Sequence, residues 1–275
     1  MGVLLALAAA VAYGVSDFIG GLASRRTSAW PVAFTAGVGG LLGAVLLAAG
    51  IGGAPTGTDL AWGALAGVGS GTGGAFLYRG LAAGRMGVVA PVSAVGAALL
   101  PVVVGVAAGE RPEALVWAGI AAAVPGIWLV SREPDSGGDL AAGLVDGVLA
   151  GVGFGVLFAA MGQVPEEAGY WPLAVCQAVA MVAVALTAVA LGAAWLPRHA
   201  SELWGVVAGL MASGAVLAFL LATQTGLLTV AAVLTSLYPA VTIVLAATAL
   251  REHVHRAQGL GLVLCGAAVA LVAAG

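Results

Sequence analysis

Polar side chains interrupt the apolar pattern of this chain only at long intervals. Ten stretches run between the interruptions, at 2–23, 30–50, 60–80, 86–108, 114–130, 140–162, 170–192, 203–222, 226–250 and 257–274. A helix rises about 1.5 Å per residue, so crossing ~30 Å of hydrocarbon takes about 20 apolar residues. Each stretch therefore predicts one membrane-spanning helix. Barrel strands are about half that length and open sheet edges do not survive in lipid, so the pattern predicts an all-α bundle. Composition agrees, with 62% of the 275 residues hydrophobic, 8% charged and a mean hydropathy of +1.13. A soluble domain of this size must keep its surface wet and carries far more charge. The spans take up nearly the whole sequence, and no connection is long enough for a folded domain outside the bilayer.

The pattern also repeats. "WPVA" at Trp30–Ala33 returns as "WPLA" at Trp171–Ala174, and "AYG" at Ala12–Gly14 faces "GFG" at Gly153–Gly155, both offset by 141. "WGALAG" at Trp62–Gly67 returns as "WGVVAG" at Trp204–Gly209, and Glu110 with Gly119 matches Glu252 with Gly261, both offset by 142. Single matches of this kind are weak, but four landmarks at a near-constant offset predict a duplicated five-helix unit. Residues 1–131 form the first repeat, 140–275 the second, and 132–139 the linker. The amino-terminal run has a counterpart in mid-chain, so it reads as a permanent helix rather than a cleaved signal. Five is odd, so the second copy enters the membrane from the opposite side. The predicted fold is an all-α membrane protein of ten transmembrane helices in two inverted five-helix repeats.

Charge tests the inversion. Eight arginines (25, 26, 79, 85, 132, 198, 251 and 256) fall on the side of the odd-numbered loops and only Arg111 on the even side. By the positive-inside rule the odd loops are cytoplasmic and both termini external, which places the chain in a plasma membrane, as in a bacterial inner membrane.

The end of each half carries the most specific signal. "LLPVVVGVAAGERPEALVWAGIAAAVPG" (Leu99–Gly126) and "LYPAVTIVLAATALREHVHRAQGLGLVLCG" (Leu237–Gly266) share a proline, an apolar run, a glutamate at a helix end and a small-residue helix. Together with the duplication, these segments resemble the EamA-type transporters of the drug/metabolite transporter superfamily. The matching residues are Pro101, Glu110, Gly119 and Gly126, then Pro239, Glu252 and Gly261. Arg251 departs from the pattern, standing where the first copy has Gly109. The resemblance implies a carrier with a cavity between its halves, moving small metabolites, and it names no substrate.

Asp17 is the candidate the residues themselves put forward. A carboxylate at the bilayer centre costs about 2.5–3.5 kcal/mol on insertion scales, so acids inside spans face partners or water. Tyr13, Ser16 and Asp17 share one helical face. Asp17 reads either as a proton- or substrate-binding group or as an ion-pair partner of Arg79, and the two readings are compatible. Ser93, Phe154, Phe158, Gln177, Ser236 and Tyr238 complete the candidates for a cavity wall, each equally readable as packing. Asp146 reads as an acid favouring a helix start. Glu110 and Glu252 read as caps of the following helix or hairpin anchors. The glycines of the third span give overlapping small-xxx-small spacing, which reads as tight helix packing. "GSGTGG" has no preceding strand and is no dinucleotide fingerprint.

Several function classes fall away. There is no lysine for a Schiff base, no basic patch for nucleic acid and no P-loop. Cys176 and Cys265 lie in apolar spans and read as buried thiols, and "REHVHR" (Arg251–Arg256) has the wrong order for a zinc motif, so no metal or cofactor is expected. The leading expectation is a secondary carrier working by alternating access, with proton antiport through Asp17 as the coupling. The alternatives are a non-transporting scaffold, a lipid-flipping variant and, last, an intramembrane enzyme. The expected partners are a small-molecule substrate and the lipid bilayer. One chain holds both repeats, so a monomer or a homodimer would serve.

Overall fold

The computed structural model describes residues 1–24, 27–82, 86–131, 140–251 and 253–275, with backbone alone at 78, 80–82, 86, 87, 140 and 142. Arg25, Arg26, Arg85, the 132–139 linker with Arg132, and Glu252 lie outside the described residues.

Among the described residues every regular element is helical. The helices are α1 (Gly2–Ser24), α2 (Ala29–Ile51), α3 (Gly57–Ala82), α4 (Met86–Ala107), α5 (Ala114–Ser131), α6 (Leu140–Met161), α7 (Trp171–Ala190), α8 (Trp204–Thr225), α9 (Leu228–Thr235), α10 (Tyr238–Ala249) and α11 (Arg256–Ala274). Short 3-10 turns precede α7 and α8. Among the described residues nine spans, α9 and α10 counting as one, are long and apolar enough to cross a membrane. The helix outside that set is α3, whose many glycines add little hydropathy despite its 26 residues. The chain is an all-α integral membrane protein. Leu4, Leu46, Val103, Leu186 and Val263, all more than 60% exposed, lie on its outer, lipid-suited face.

The ninth stretch is not one helix, as its apolar run suggests, but two. Pro239 has no N–H to offer Thr235, and the chain tightens ahead of it, with the Leu237 N–H donating to the Leu234 carbonyl three residues back at 3.2 Å. Pro91, Pro101 and Pro125 stay inside unbroken α4 and α5.

Glycine sets how the helices cross. A Cβ on Gly205 or Gly209 of α8 would overlap backbone of α2 around Val32 and Ala36, and one on Gly63 or Gly67 of α3 would overlap backbone of α7 around Pro172 and Cys176. The repeated "WGxxAG" thus performs one job twice, letting two backbones touch. On the other face of α3, Gly69 and Gly73 admit Gly153 and Phe154 of α6.

The residues that meet also give directions. α1 is antiparallel to α8 (Gly2 against Ala222, Gly20 against Ala208) and α6 is antiparallel to α3 (Leu157 against Gly69, Ala150 against Gly73). α1 is parallel to α9–α10, Thr235 donating to the Ala6 carbonyl and Thr242 to that of Gly14. Likewise α6 is parallel to α4, with Gly147 on Val92 and Gly155 on Leu100. α2 runs with α8 (Val32 by Gly205, Ala36 by Gly209), and α3 runs with α7 (Gly63 by Pro172, Gly71 by Ala180). α5 and α11 are antiparallel, Gly119 lying on Val272 and Gly261 on Val130.

Candidate functional site

Helical spacing puts Ala6, Ala10, Tyr13, Asp17 and Gly21 on one stripe of α1, between the side where Gly14 meets α10 and the side where Ser16 and Gly20 meet α8. Burial changes along that stripe. Ala6 and Ala10 are buried, Tyr13 is partly buried, and Asp17 and Gly21 are exposed, with nothing within 4 Å of a Cβ on Gly21. The stripe starts sealed at the end of the even-numbered connections and opens toward the odd-numbered ones. Asp17 lies seven residues, about 10 Å, inside the end of α1 on the open side.

The ninth span shows the same change. Seven of the eight residues of α9 are buried, and none of the twelve of α10 is. The seal at the even end has an identifiable plug. Leu228, at the start of α9, covers Gly162 so closely that a Cβ there would lie 2.6 Å from its Cδ1. Gly162 is the counterpart of Gly21 at the 141-residue offset.

Three aromatic candidates come together above Asp17. The Tyr13 ring stands 6.0 Å from Phe158, edge-on, and 5.9 Å from Tyr238. Phe219, which the sequence did not single out, backs them at 4.8 Å from Phe158. Asp17 is within electrostatic range of both tyrosines. Among the described residues it has no hydrogen bond and no ion pair. The hydroxyls of Tyr13 and Ser236 are buried without a hydrogen-bond partner among those residues. A reachable carboxylate beneath aromatic rings can take up a proton or the donor groups of a ligand.

The pairing of Asp17 with Arg79 is not what the structure holds. Arg79 Nε and Nη2 both donate to Oδ1 of Asp146, and the guanidinium also lies 4.7 Å from the Phe76 ring centre. This also corrects Asp146, which is a buried ion-pair partner in the second turn of α6 rather than an acid at its first turn. The pair ties α3 to α6 and, among the described residues, leaves Asp17 without an ion pair.

Other candidates sit apart from the rings. Ser16 faces α8, donating to the Ala208 carbonyl at 2.8 Å, and Ser93 donates to its own helix at Ala90. Phe154 packs on Gly73, and the Gln177 amide lies over Gly40 of α2. Gly119 and Gly261 let α5 and α11 close on each other. Glu110 caps a helix, but not the following one. Its carboxylate accepts the N–H groups of Leu228 at 2.6 Å and Thr229 at 3.0 Å, at the start of α9. In "REHVHR", His255 begins α11, its N–H donating to Gln258 Oε1 at 3.0 Å. Among the described residues no group of His, Cys, Asp and Glu is placed to hold a metal ion.

The family comparison decides the class of molecule. The model of the EamA-like transporter family matches residues 141–274. The second half of this chain is an EamA-like transporter domain. Membership of that family implies a membrane transporter. A crystal structure of a protein with 20% sequence identity superposes with a TM-score of 0.73, covering 98% of this chain and 95% of that one. At that identity it shows a shared fold. A comparison with the curated proteins finds no match. The EamA-like domain spans α6 to α11, and so contributes Phe158, Phe219 and Tyr238 to the aromatic group beside Asp17 and Leu228 to the opposite end.

Proposed function

We propose that this protein is a secondary active transporter of small metabolites or amphiphilic compounds, working by alternating access between two inverted repeats, 1–131 and 140–275. Exchanging the halves maps α1 onto α6, α2 onto α7, α3 onto α8, α4 onto α9–α10 and α5 onto α11. Under that exchange the pairs α1–α8 and α6–α3, α1–α10 and α6–α4, and α2–α8 and α7–α3 change places, each keeping its relative direction. Following those directions round the bundle gives every helix the opposite sense to its counterpart, which supports an inverted repeat.

The observation that carries the transport reading is one asymmetry in this near-symmetric frame. Gly162 lies under Leu228, while its counterpart Gly21 faces open space. Two equivalent mouths in opposite states are what an alternating carrier holds at any moment. The open mouth lies on the arginine-rich side, which the positive-inside rule makes cytoplasmic in a plasma membrane. One chain contains both mouths, which supports a working monomer.

Asp17 is the coupling group in this reading. It is an acid with no ion pair among the described residues, on a stripe that ends in open space, and proton and substrate compete for it, giving antiport. Tyr13, Tyr238 and Phe158 contact the substrate. Metabolite profiling of cells with and without the protein selects the substrate, and flux of that compound is then followed in proteoliposomes with and without a pH gradient. Wild-type flux rises with the gradient. Asp17→Asn flux is insensitive to it, and a gradient response that survives the substitution removes Asp17 from the mechanism.

A further inference from the structure

The transport reading uses Leu228 as a plug but leaves Glu110 without a task beyond capping. Glu110 lies on the turn after α4 and the two N–H groups that donate to it on α9, 118 and 119 residues away in the other half. The turn is built to present this carboxylate. Gly109 takes φ +104°, and the Glu110 N–H donates back to the Gly105 carbonyl at 3.0 Å. Gly105 itself leaves the space the acid occupies, since a Cβ there would lie 2.5 Å from Glu110 Oε2. Arg111 does not neutralise the acid, as its guanidinium donates to the Val106 and Glu110 carbonyls. Both carboxylate oxygens are therefore committed to α9.

Those bonds fall on the residue that seals the even-side mouth. The first N–H groups of a helix have no partner within it, and Leu227 offers no side-chain cap. Glu110 supplies the missing acceptors with a charged group at the positive end of the helix. It holds the Leu228 backbone while the Leu228 side chain covers Gly162. We propose that Glu110 is the positioning residue of the even-side seal. In this role its carboxylate is a latch that holds α9 over Gly162 while that mouth is shut and releases α9 when the mouth opens. This rests on the alternating-access reading and adds to it the group that sets the balance between the two mouths.

The test uses the full chain in detergent and a small maleimide. Ala231, one turn along α9 from Leu228, is 2% exposed, so Ala231→Cys reports opening of the even side. The unsubstituted protein, whose own cysteines are buried, gives the background. With Glu110→Ala, labelling at 231 rises about tenfold, the weight of one hydrogen bond to a charged group, and Glu110→Gln gives a smaller rise. Gly21→Trp, set into the open space at the other mouth, keeps that mouth from closing. In that background a latch acting through the rocking of the halves has nothing to release, and the rise at 231 disappears. If labelling still rises with Gly21→Trp present, Glu110 only caps α9 and the latch is wrong. The latch also fails if Glu110→Ala leaves labelling unchanged. Flux that persists with Gly21→Trp contradicts alternating access instead, a result that labelling at 231 does not produce.

Discussion

Gly209→Ala adds one methyl group where α8 crosses α2. The new carbon would overlap the Ala36 carbonyl oxygen and lie 2.6 Å from Ala36 C and 2.8 Å from Gly40 N. Ordinary contact begins near 3.4 Å, so the carbon-to-carbon deficit alone is about 0.8 Å (3.4 less 2.6). All three neighbours are backbone, and no rotamer change relieves them. The helices must separate, at an overpacking cost of about 1–3 kcal/mol, with this site at the upper end. For a chain of this size that lowers the thermal midpoint by about 4–12 °C. Gly67→Ala, the counterpart on α3, meets the Cys176 carbonyl oxygen at 2.5 Å and lowers it similarly. Gly214→Ala and Gly266→Ala have nothing within 4 Å and gain about 0.5–1 kcal/mol of helix propensity, so their midpoints hold or rise. Thermal unfolding of the four variants in one detergent makes the comparison. Equal midpoints for Gly209→Ala and Gly214→Ala would refute the close-crossing argument.

Three further outcomes follow from the site. Arg79→Ala leaves the Asp146 carboxylate buried without its guanidinium. It costs about 1–3 kcal/mol, below the full value for a buried pair because Arg79 is 44% exposed, and adding Asp146→Ala recovers most of the loss in the same melt. Tyr13→Phe removes a buried hydroxyl that has no hydrogen-bond partner among the described residues, so stability holds or rises by up to about 1 kcal/mol while substrate affinity falls; a fall in stability would contradict this. Asp17→Asn preserves stability within about 1 kcal/mol, because no ion pair among the described residues is lost, yet abolishes the response of flux to a pH gradient.

The apolar runs carried the helices because a bilayer leaves few other ways to satisfy a backbone. The recurring "WGxxAG" has a physical reason in Gly63 with Gly67 and Gly205 with Gly209, which make the same kind of close crossing. Tyr13, Asp17, Phe158 and Tyr238 could be named because polar and aromatic residues are scarce inside spans. Which partner each would find could not be read. Arg79 lay at a plausible depth for Asp17, but helical phase turns it to Asp146 on α6. Glu110 could be read as a cap because glutamate ends a helix, while the α9 donors it accepts from depend on packing between halves. The break before Pro239 was hidden because Pro101 occupies the matching position in an unbroken helix. Phe219 and Leu228 are ordinary apolar residues whose importance comes only from what they cover.

The central claim is that two opposed mouths open in alternation, and paired spin-label distances test it most directly. One pair joins Ser24 to Leu250 across the odd-side mouth, and the other joins Gln163 to Leu227 across the even side. In proteoliposomes the account predicts two populations for each pair. A shift of pH or addition of substrate that shortens the first distance lengthens the second. A single fixed distance in both pairs, or two distances that grow and shrink together, would contradict it.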